Sequence, residues 1–302
     1  MLGIITGSSG FIGQNILNSV YFKKNYNFIK FNRNTIFDKE QSFTKCKFIL
    51  HLAGKSHDLK NVSNFDLYYE ANTLLTKNLY DKFLTSDSEV FIIISSVKAV
   101  ADVVINELTE DSIPSPITHY GKSKLLAEEY ILSKKIPIGK RVYILRPCMI
   151  HGPLNKGNLN LLYNFVSKGI PWPLGEFLNE RSYCSIENFC FIIKELIERD
   201  DIQSGVYNIS DDTTVSTNDV IRLISESKGK KAKIINISKK IITILARIGD
   251  YFNLPLNSER LQKLTESYII SNKKIIKALG KPLPISSRAG LLHTFNSFNK
   301  IT

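Results

Sequence analysis

The stretch Leu2-Gly-Ile-Ile-Thr-Gly-Ser-Ser-Gly-Phe-Ile-Gly13 decides the fold of this chain. It begins with an apolar run that has the length and composition of a buried strand. Gly7, Gly10 and Gly13 follow, where that strand gives way to a helical pattern. In such a unit the first glycine permits a tight turn, the second lets the backbone approach a pyrophosphate, and the third lets the helix pack closely on the strand. The stretch therefore predicts a dinucleotide-binding unit.

Strand and helix patterns continue to alternate along the first half of the chain. Buried, uninterrupted strands that alternate with helices indicate a parallel sheet covered on both faces. The predicted fold is therefore α/β, a Rossmann-like doubly wound parallel sheet, with ligands bound beyond the carboxyl ends of the strands. The predicted strands are Leu2–Thr6, Phe28–Phe31, Phe48–Leu52, Val90–Ile94, Val142–Leu145 and Gly205–Ile209, and the predicted helices are Gly10–Val20, Phe65–Leu84, Tyr120–Lys134, Ile186–Arg199, Thr217–Ser227 and Lys239–Asn253.

After Pro153 the regular alternation of strand and helix patterns gives way to a sequence with more predicted loops. We expect residues 1–153 to form the NAD(P)-binding Rossmann domain. Residues 154–302 are expected to form a smaller C-terminal α/β substrate lobe, with residues 186–209 returning to the first domain.

Composition narrows the function classes. The apolar runs are far shorter than the ~20 residues of a membrane span, and the first residues lack the basic region and cleavage site of a signal peptide. We therefore expect a cytoplasmic protein without an integral membrane segment. The net charge of +12 is spread along the chain without a clustered basic face interleaved with aromatics, so we expect no nucleic-acid partner. A phosphate-bearing substrate is compatible with that charge.

The cysteines argue against a metal site. The chain has four, and none of them forms a Cys-x-x-Cys pair or stands beside a histidine cluster. Buried free thiols in a reducing compartment are the expected outcome, with no metal bound. The four are Cys46, Cys148, Cys184 and Cys190.

A second local pattern predicts catalysis. Tyr120 and Lys124 share one face of a helix because they stand four residues apart, and Ser96 lies upstream at the end of an apolar run. The lysine ammonium is expected to favour the phenolate and so to lower the pKa of the tyrosine. The serine hydroxyl is expected to hold a substrate oxygen. Together the three residues predict a proton-transfer centre.

Taken together, these pieces resemble the extended short-chain dehydrogenase/reductase family, also called the NAD-dependent epimerase/dehydratase family. Within its nucleotide-sugar branch, the later segments resemble the bacterial polysaccharide-synthesis subgroup. The matching pieces, which occur in family order, are Thr6-Gly-Ser-Ser-Gly-Phe-Ile-Gly13, His51-Leu-Ala-Gly54, Asn72, Ser95-Ser96, Tyr120-Gly-Lys-Ser-Lys124, Arg146-Pro147, His151-Gly-Pro153 and Arg181-Ser182.

The resemblance implies a role for each matching position. Tyr120 would be the acid/base, Lys124 its electrostatic partner and a ligand of the nicotinamide ribose, and Ser96 the clamp on a substrate oxygen. Arg181 would grip the diphosphate of a UDP-sugar. The implied cofactor contacts are Gly7, Gly10, Phe11, Ile12, Gly13, Asn32, Arg33, Leu52, Ala53, Gly54, Asn72, Lys124 and Pro147. The implied substrate contacts are Ser96, Asn158, Leu159, Arg181 and Arg260.

Structural alternatives stand beside several of these pieces. Ser96 could merely cap or close a strand, and Asn72 could be a surface helix residue. Arg181 could instead pair with a neighbouring carboxylate, Glu180 or Glu187. His51 is expected to be a packed, hydrogen-bonded histidine rather than a catalyst.

Residues near the predicted proton-transfer centre help to distinguish a dehydratase, an epimerase and a reductase. The resemblance implies that a dehydratase would carry an Asp-Glu pair after the clamp residue, whereas Ser96 is followed by Val97-Lys98. An epimerase that retains NAD would favour an acidic residue at the end of the second strand. That place holds Asn32-Arg33 in this chain, without an acid. Arg33 could meet the 2′-phosphate of NADP(H), which suits a reductase, or it could be a solvated loop residue.

We therefore expect an NAD(P)-dependent oxidoreductase that acts at C4 of a UDP-sugar in surface polysaccharide biosynthesis, with NADP as cofactor and NAD as the alternative. A 4-keto-6-deoxy-sugar reductase is preferred to a UDP-glucose or UDP-N-acetylglucosamine 4-epimerase. A non-catalytic NAD(P)-binding regulator is the third candidate, and the intact catalytic residues argue against it. The resemblance also implies a homodimer formed through the helices Phe65–Leu84 and Tyr120–Lys134.

Overall fold

A computed structural model describes residues 1–32, 43, 45–56, 64–155, 157–252, 254 and 256–299 of the chain. Its strands are β1 (Leu2–Thr6), β2 (Asn27–Phe31), β3 (Phe48–His51), β4 (Val90–Ile94), β5 (Glu107–Leu108), β6 (Arg141–Pro147), β7 (Met149–His151), β8 (Tyr183–Ser185), β9 (Gly205–Ile209) and β10 (Ile269–Ile270). Within the described residues, six of them form one sheet in the order β2-β1-β3-β4-β6-β9. The remaining strands form two small parallel pairs, β5 with β10 and β7 with β8.

Helices separate most of these strands. They are α1 (Phe11–Asn18), α2 (Phe65–Tyr68), α3 (Leu75–Thr85), α4 (His119–Leu132), α5 (Asn158–Ser167), α6 (Ile186–Glu198), α7 (Thr217–Ser227), α8 (Lys239–Phe252), α9 (Ser258–Thr265), α10 (Lys273–Leu279) and α11 (Ser287–Phe298). A π-helical segment, Tyr69–Leu74, joins α2 to α3, and a short 3-10 helix, Val97–Ala99, follows β4.

The Rossmann-like fold class predicted from the sequence is confirmed. Every neighbouring pair in the six-stranded sheet is parallel. The strand β9, which follows α6, pairs with β6 and extends the sheet. The division of the chain at residues 153 and 154 stays a prediction.

Apolar side chains cover both faces of the sheet because successive residues of a strand point to opposite sides. On one face they pack with α6, and on the other with α3. Representative members are Ile5, Leu50, Ile92, Leu145 and Phe189 on the first face, and Ile4, Ile49, Ile93, Leu79 and Phe83 on the second.

The later part of the chain has two smaller apolar clusters of its own. The first gathers α5, α7 and α11, and includes Leu159, Val220 and Phe295. The second surrounds Trp172 and receives the inner side of α8, including Ile242. The second cluster also includes Leu261 of α9.

All four cysteines are buried and unpaired. In the part of the chain that the structure describes, no group of three His, Cys, Asp or Glu side chains is placed to hold a metal ion. Over the same residues, every helix is too short or too polar to cross a bilayer.

Candidate active site

The catalytic and glycine motifs meet at the carboxyl edge of the sheet. β1 ends at Thr6 just before the glycine turn, β3 ends just before Leu52, β4 ends just before Ser95, and β6 ends at Pro147. Parallel pairing keeps these ends level, and Thr6 is the direct partner of His51. The topology therefore gathers loops that are far apart in the sequence.

The glycine turn leaves no room for a side chain at Gly7 or at Gly13. Gly7 has φ +67, a conformation that L side chains rarely adopt, and a Cβ there would lie 2.7 Å from the backbone nitrogen of Ala53. A Cβ at Gly13 would lie 2.5 Å from the carbonyl oxygen of Gly7. The turn leads into α1, whose first-turn N–H groups have no partner within the helix. This cradle of glycine backbone and helix N-terminus fits the pyrophosphate of a dinucleotide.

Asn72 joins the loop after β3 to the helix that carries Tyr120. Its side-chain oxygen accepts a hydrogen bond from the Lys55 nitrogen at 2.8 Å, and its amide donates to the Lys55 carbonyl at 3.0 Å and to Ser123 Oγ at 2.9 Å. A Cβ at Gly54 would lie 2.7 Å from Asn72 Oδ1 and 3.1 Å from Lys124 Nζ. Asn72 lies in the π-helical segment, a feature frequent at functional sites. It acts here as a positioning residue.

Tyr120 stands at the start of α4, and Ser96 is near enough to influence the pKa of its phenol. Burial raises the pKa of Tyr120 above its ordinary value, and the hydrogen bond with Ser96 lowers it by less. Tyr68 and Glu128 raise the pKa further. The expectation of a lowered tyrosine pKa was therefore wrong for this structure, because burial of the phenol outweighs the groups that favour the phenolate.

Lys124 is tied to the sheet rather than to the phenol. Its ammonium donates a hydrogen bond to the carbonyl of Ile94, the last residue of β4, at 2.8 Å. Burial lowers the pKa of Lys124 to about 8, and Glu128 opposes that shift. Lys124 lies against Gly54 on one side, so it reaches the same loop that the glycine turn faces.

A buried ion pair that we did not predict supports this centre. The carboxylate of Glu128, one turn beyond Lys124 on α4, accepts from Arg146 Nε at 3.1 and 3.0 Å and also from the hydroxyl of Ser95. Glu128 is 0% exposed and Arg146 5%, so both charges are withdrawn from water. Removing one partner of such a pair costs roughly 3–5 kcal/mol. The pair locks α4 onto β6 and onto the loop that carries Ser96.

Asp102 fixes the start of the catalytic helix. Its carboxylate accepts from the backbone nitrogens of Ile117 and Thr118 at 2.7 and 3.0 Å, and Thr118 is the N-cap of α4. Lys98 Nζ donates to the carbonyl of Asp102 at 2.7 Å, and the Lys98 nitrogen donates to Ser96 Oγ at 3.2 Å. The loop that carries Ser96 and the helix that carries Tyr120 are thereby held in a fixed relation.

The structure places Arg181 on the same side of the molecule. Burial lowers the pKa of Lys98 and raises the pKa of Cys148, and the charge of Arg181 acts to lower both. The Arg181 guanidinium donates to the carbonyl of Lys263 and lies 4.0 Å from Glu266.

The carboxylate beside Arg181 is therefore Glu266, and neither of the two that we considered. The reason is long-range: the backbone of Arg181 bridges to Val215 and Tyr268, which brings it against α9. The side chain of Arg181 is 19% exposed, so a diphosphate could reach it from solvent.

The other expected substrate residues lie at two helix starts. Asn158 is the first residue of α5 and is exposed, whereas the side chain of Leu159 is 1% exposed in the core. Leu159 can therefore offer only its backbone N–H to a substrate. Arg260 lies in the first turn of α9, two residues after Ser258.

The remaining residues expected to contact the cofactor differ in burial, and one of them is not described. Phe11 and Ile12 open α1 and pack partly against the core, and Pro147 is buried at the end of β6. Asn32 follows β2 at the carboxyl edge and is exposed. Arg33 lies outside the described residues, so the preference for NADP that rests on it stays a prediction.

His51 is a packed histidine, as expected. Its ring nitrogens lie 2.7 Å from Thr6 Oγ1 and 2.9 Å from Thr76 Oγ1. Burial and the charge of Lys124 lower the pKa of His51 to about 3, so the ring is neutral. The hydroxyl of Thr6 also accepts a hydrogen bond from the Ala53 nitrogen at 3.0 Å, which connects the His51 ring to the loop after β3.

A pyrophosphate cradle at the edge of a parallel sheet, with a serine after an adjoining strand and a tyrosine and a lysine on the helix beside it, defines the class of dinucleotide-dependent oxidoreductases. A family model described as the NAD dependent epimerase/dehydratase family matches residues 4–210, and the chain belongs to that family. The resemblance stated from the motifs is confirmed.

Similar proteins act on diphosphate-linked sugars. A UDP-glucose 4-epimerase from Vibrio cholerae is 31% identical over 241 residues, which cover 72% of this chain and 73% of that protein. An N-acetyl-alpha-D-glucosaminyl-diphospho-ditrans,octacis-undecaprenol 4-epimerase from Escherichia coli O157:H7 is 25% identical over 291 residues, 91% of this chain and 84% of that protein. The chain is thus an NAD(P)-dependent enzyme of the nucleotide-sugar reductase or epimerase type.

A solved structure shares the fold over the whole chain. The UDP-glucuronic acid 4-epimerase from Bacillus cereus, in complex with NAD, superposes with a TM-score of 0.76 at 18% identity. The superposition covers 100% of this chain and 99% of that one.

Proposed function

We propose that this protein is a 4-epimerase of a UDP-linked hexose that works through a transient ketone at C4. The observation that carries the proposal is the juxtaposed hydroxyl pair of Ser96 and Tyr120, set beside the glycine cradle and followed by Val97-Lys98 rather than by carboxylates. A hydroxyl pair suits reversible alcohol–ketone chemistry, whereas elimination of water needs further acid/base groups. Similarity to two 4-epimerases supports C4 as the reacting position.

The residues of the chain hold and move one proton. Ser96 would hold the oxygen on C4 against Tyr120 Oη, which takes the proton of a C4 alcohol and returns a proton to a C4 carbonyl. Because burial raises the pKa of Tyr120, the neutral phenol is its stable form here. That form is the one needed when a carbonyl is reduced, a step that epimerases and reductases share.

The cofactor would lie along the glycine turn. Gly7, Gly10 and Gly13 would hold its pyrophosphate, and Gly54 with Lys124 would border its nicotinamide end. When bound, a nicotinamide dinucleotide supplies the acceptor and donor of hydride. Residues 1–153 with 186–209 would hold this cofactor, and residues 154–302 would hold the sugar.

A diphosphate anchor would lie at the other end of the substrate. Arg181 is partly exposed, and the first-turn N–H groups of Asn158 and Leu159 face outward from α5. A UDP-sugar and a sugar on a diphospho-lipid, the substrates named for the two relatives, have the diphosphate in common. A guanidinium and the N–H groups of a helix start each suit that shared part.

The 4-keto-6-deoxy-sugar reductase that we preferred from the sequence uses the same proton chemistry. It differs because its cofactor must leave oxidised and return reduced. The residue that favoured it, Arg33, lies outside the described residues. Similarity to two 4-epimerases is the reason that we rank the epimerase first. The role in surface polysaccharide synthesis, the cytoplasmic location and the homodimer stay predictions.

The decisive experiment follows the cofactor through turnover. The protein would be purified without added nucleotide, its retained dinucleotide identified by mass spectrometry, and UDP-glucose and UDP-N-acetylglucosamine supplied as substrates. Conversion to the C4 epimers with no net change in absorbance at the reduced-nicotinamide band would establish the epimerase. Stoichiometric oxidation of added NADPH by a 4-keto nucleotide sugar, without epimer formation, would replace it by the reductase.

A further inference from the structure

The helix α8 exposes an apolar face that the site does not use. Six large apolar side chains of this helix are each between 44% and 82% exposed. Scattered single exposures are ordinary, whereas a contiguous apolar surface of this kind marks an interaction site. The six are Ile241, Ile244, Leu245, Ile248, Tyr251 and Phe252.

These side chains form one stripe along the helix. They recur at spacings of three and four residues, which places them on one face. A different and narrower face holds the helix to the protein, through Ile242, Ala246 and Gly249, which are buried. A Cβ at Gly249 would lie 1.7 Å from the carbonyl oxygen of Leu256, so the inner face packs as closely as backbone allows. The helix is therefore anchored through Ile242, Ala246 and Gly249, and its large exposed apolar side chains face solvent.

Positive charge borders the stripe. Lys239, Lys240 and Arg247 occupy the polar side of the helix, and the approach to it carries Lys-Lys-Ala-Lys233. Among the described residues, the carboxylates of Asp250 and Glu176 accept hydrogen bonds at this helix. Asp250 accepts from the nitrogen and the hydroxyl of Ser258, and Glu176 accepts from the Lys239 nitrogen.

We propose that the exposed face of α8 docks on the surface of an anionic membrane. An amphipathic helix with large apolar residues on one face and lysine or arginine beside them lies in the plane of a bilayer surface. Anionic headgroups would neutralise Lys240 and Arg247 while the acyl boundary receives the apolar stripe. A second copy of the chain is a poorer occupant, because a two-fold contact would set these cations against the same cations of the partner.

The docking face is close to the proposed diphosphate anchor. α8 packs on α9 through the Asp250–Ser258 contact, and α9 supplies the Lys263 carbonyl that holds Arg181. The diphosphate of the sugar substrate would therefore be bound near the docked side of the protein, a consequence that rests on the proposed function. The docking itself does not depend on turnover.

Vesicle co-sedimentation without any substrate tests the docking. The full-length protein is expected to pellet with vesicles of phosphatidylglycerol and phosphatidylethanolamine, and to stay in the supernatant with phosphatidylcholine alone. Ile244→Gln combined with Ile248→Gln should weaken binding by at least about tenfold, because two apolar side chains no longer enter the bilayer surface. Lys240→Gln or Arg247→Gln should each weaken it about fivefold.

A matched control makes the same chemical change elsewhere. Val20 and Ile138 are 80% and 104% exposed and lie after α1 and before β6, at the opposite edge of the sheet. Replacing both by glutamine should leave vesicle binding unchanged. Tyr120→Phe should also pellet like the wild type, so a failure of the proposed function is told apart from a failure of docking.

Three results would overturn the proposal. The first is a wild type that stays in the supernatant with anionic vesicles, and the second is an Ile244→Gln/Ile248→Gln variant that binds as tightly as the wild type. The third is sedimentation velocity without lipid in which the wild type is a dimer and that variant a monomer, because a second copy then covers the face.

Discussion

The two ends of the candidate site are built in opposite ways. At the chemistry end, Glu128, Arg146, Asn72 and His51 are almost fully buried, and each makes several hydrogen bonds to neighbouring elements. At the diphosphate end, by contrast, Arg181 is partly exposed and pairs loosely with Glu266. Buried polar networks rigidify a structure when every member is satisfied.

The difference indicates a division of labour. A proton transfer depends steeply on the distance between reacting atoms, so the chemistry end gains from a rigid frame. A diphosphate anchor must admit and release a charged ligand, so its arginine stays partly accessible and keeps its neighbouring carboxylate, Glu266, at 4.0 Å. Substitutions at the two ends should therefore affect different quantities, namely kcat at the first and KM at the second.

The largest effect is expected at Tyr120. Tyr120→Phe keeps the ring and its packing but removes the hydroxyl, and kcat should fall about 10²–10⁴-fold because a positioned acid/base is lost. Dinucleotide binding, measured by calorimetry or fluorescence quenching, should not change.

Tyr68→Phe is the matched control for that change. The ring of Tyr68 packs edge-on against the Tyr120 ring at 6.4 Å, so the control removes a neighbouring phenol hydroxyl and leaves the hydroxyl of Tyr120 in place. A Tyr120→Phe enzyme that keeps its turnover, or a Tyr68→Phe enzyme that loses as much, would refute the assignment.

An intermediate effect is expected at the diphosphate end. Arg181→Gln should raise the KM for the diphosphate sugar about 10- to 100-fold with little change in kcat, since hydrogen bonds to a charged group contribute roughly 1.5–3 kcal/mol. Steady-state kinetics with the sugar varied at saturating cofactor measures this split.

Glu266→Gln distinguishes binding from structure at this position. It removes the carboxylate beside Arg181 and leaves the guanidinium in place, so the KM should stay within a few-fold of the wild type. If instead both variants unfold more readily and neither changes the KM, Arg181 is a structural residue.

The features that could be predicted from the sequence are those set by residues close together in the chain. The glycine turn, the buried strands and the Tyr120–Lys124 pair were predictable because each is a local pattern of spacing. The helix through Asn72 was predictable in the same way, although its π-helical stretch was not, because periodicity does not register a single widened turn.

The partners of the charged residues could not be predicted. Arg146 meets Glu128 and Arg181 meets Glu266 only after the chain has folded, across separations of 18 and 85 residues in the sequence. For Arg181 we considered only the carboxylates nearest in sequence. The predicted direction of the Tyr120 pKa shift was wrong for a related reason. The burial of a side chain depends on how the whole chain packs, and an i, i+4 pattern does not contain that information.

The smallest expected effect concerns stability at the chemistry end, where His51 is buried in its neutral form. Its pKa in the folded protein is about 3, against an ordinary value of 6.5, so the unfolded chain binds a proton that the folded protein refuses. Stability is therefore fully present above about pH 6.5 and is lost as the pH falls toward 3. Between pH 7 and pH 5 the loss from this one group should be about 2 kcal/mol.

Urea unfolding at pH 7 and pH 5 measures that loss, with His51→Gln as the comparison. Glutamine can still reach Thr6 and Thr76 but does not titrate, so the variant should be less stable at pH 7 yet lose about 2 kcal/mol less than the wild type on acidification. Comparing the two pH values within each protein removes the general cost of the substitution. Equal losses in both proteins would mean that His51 is not the group that makes the rigid end of the site sensitive to acid.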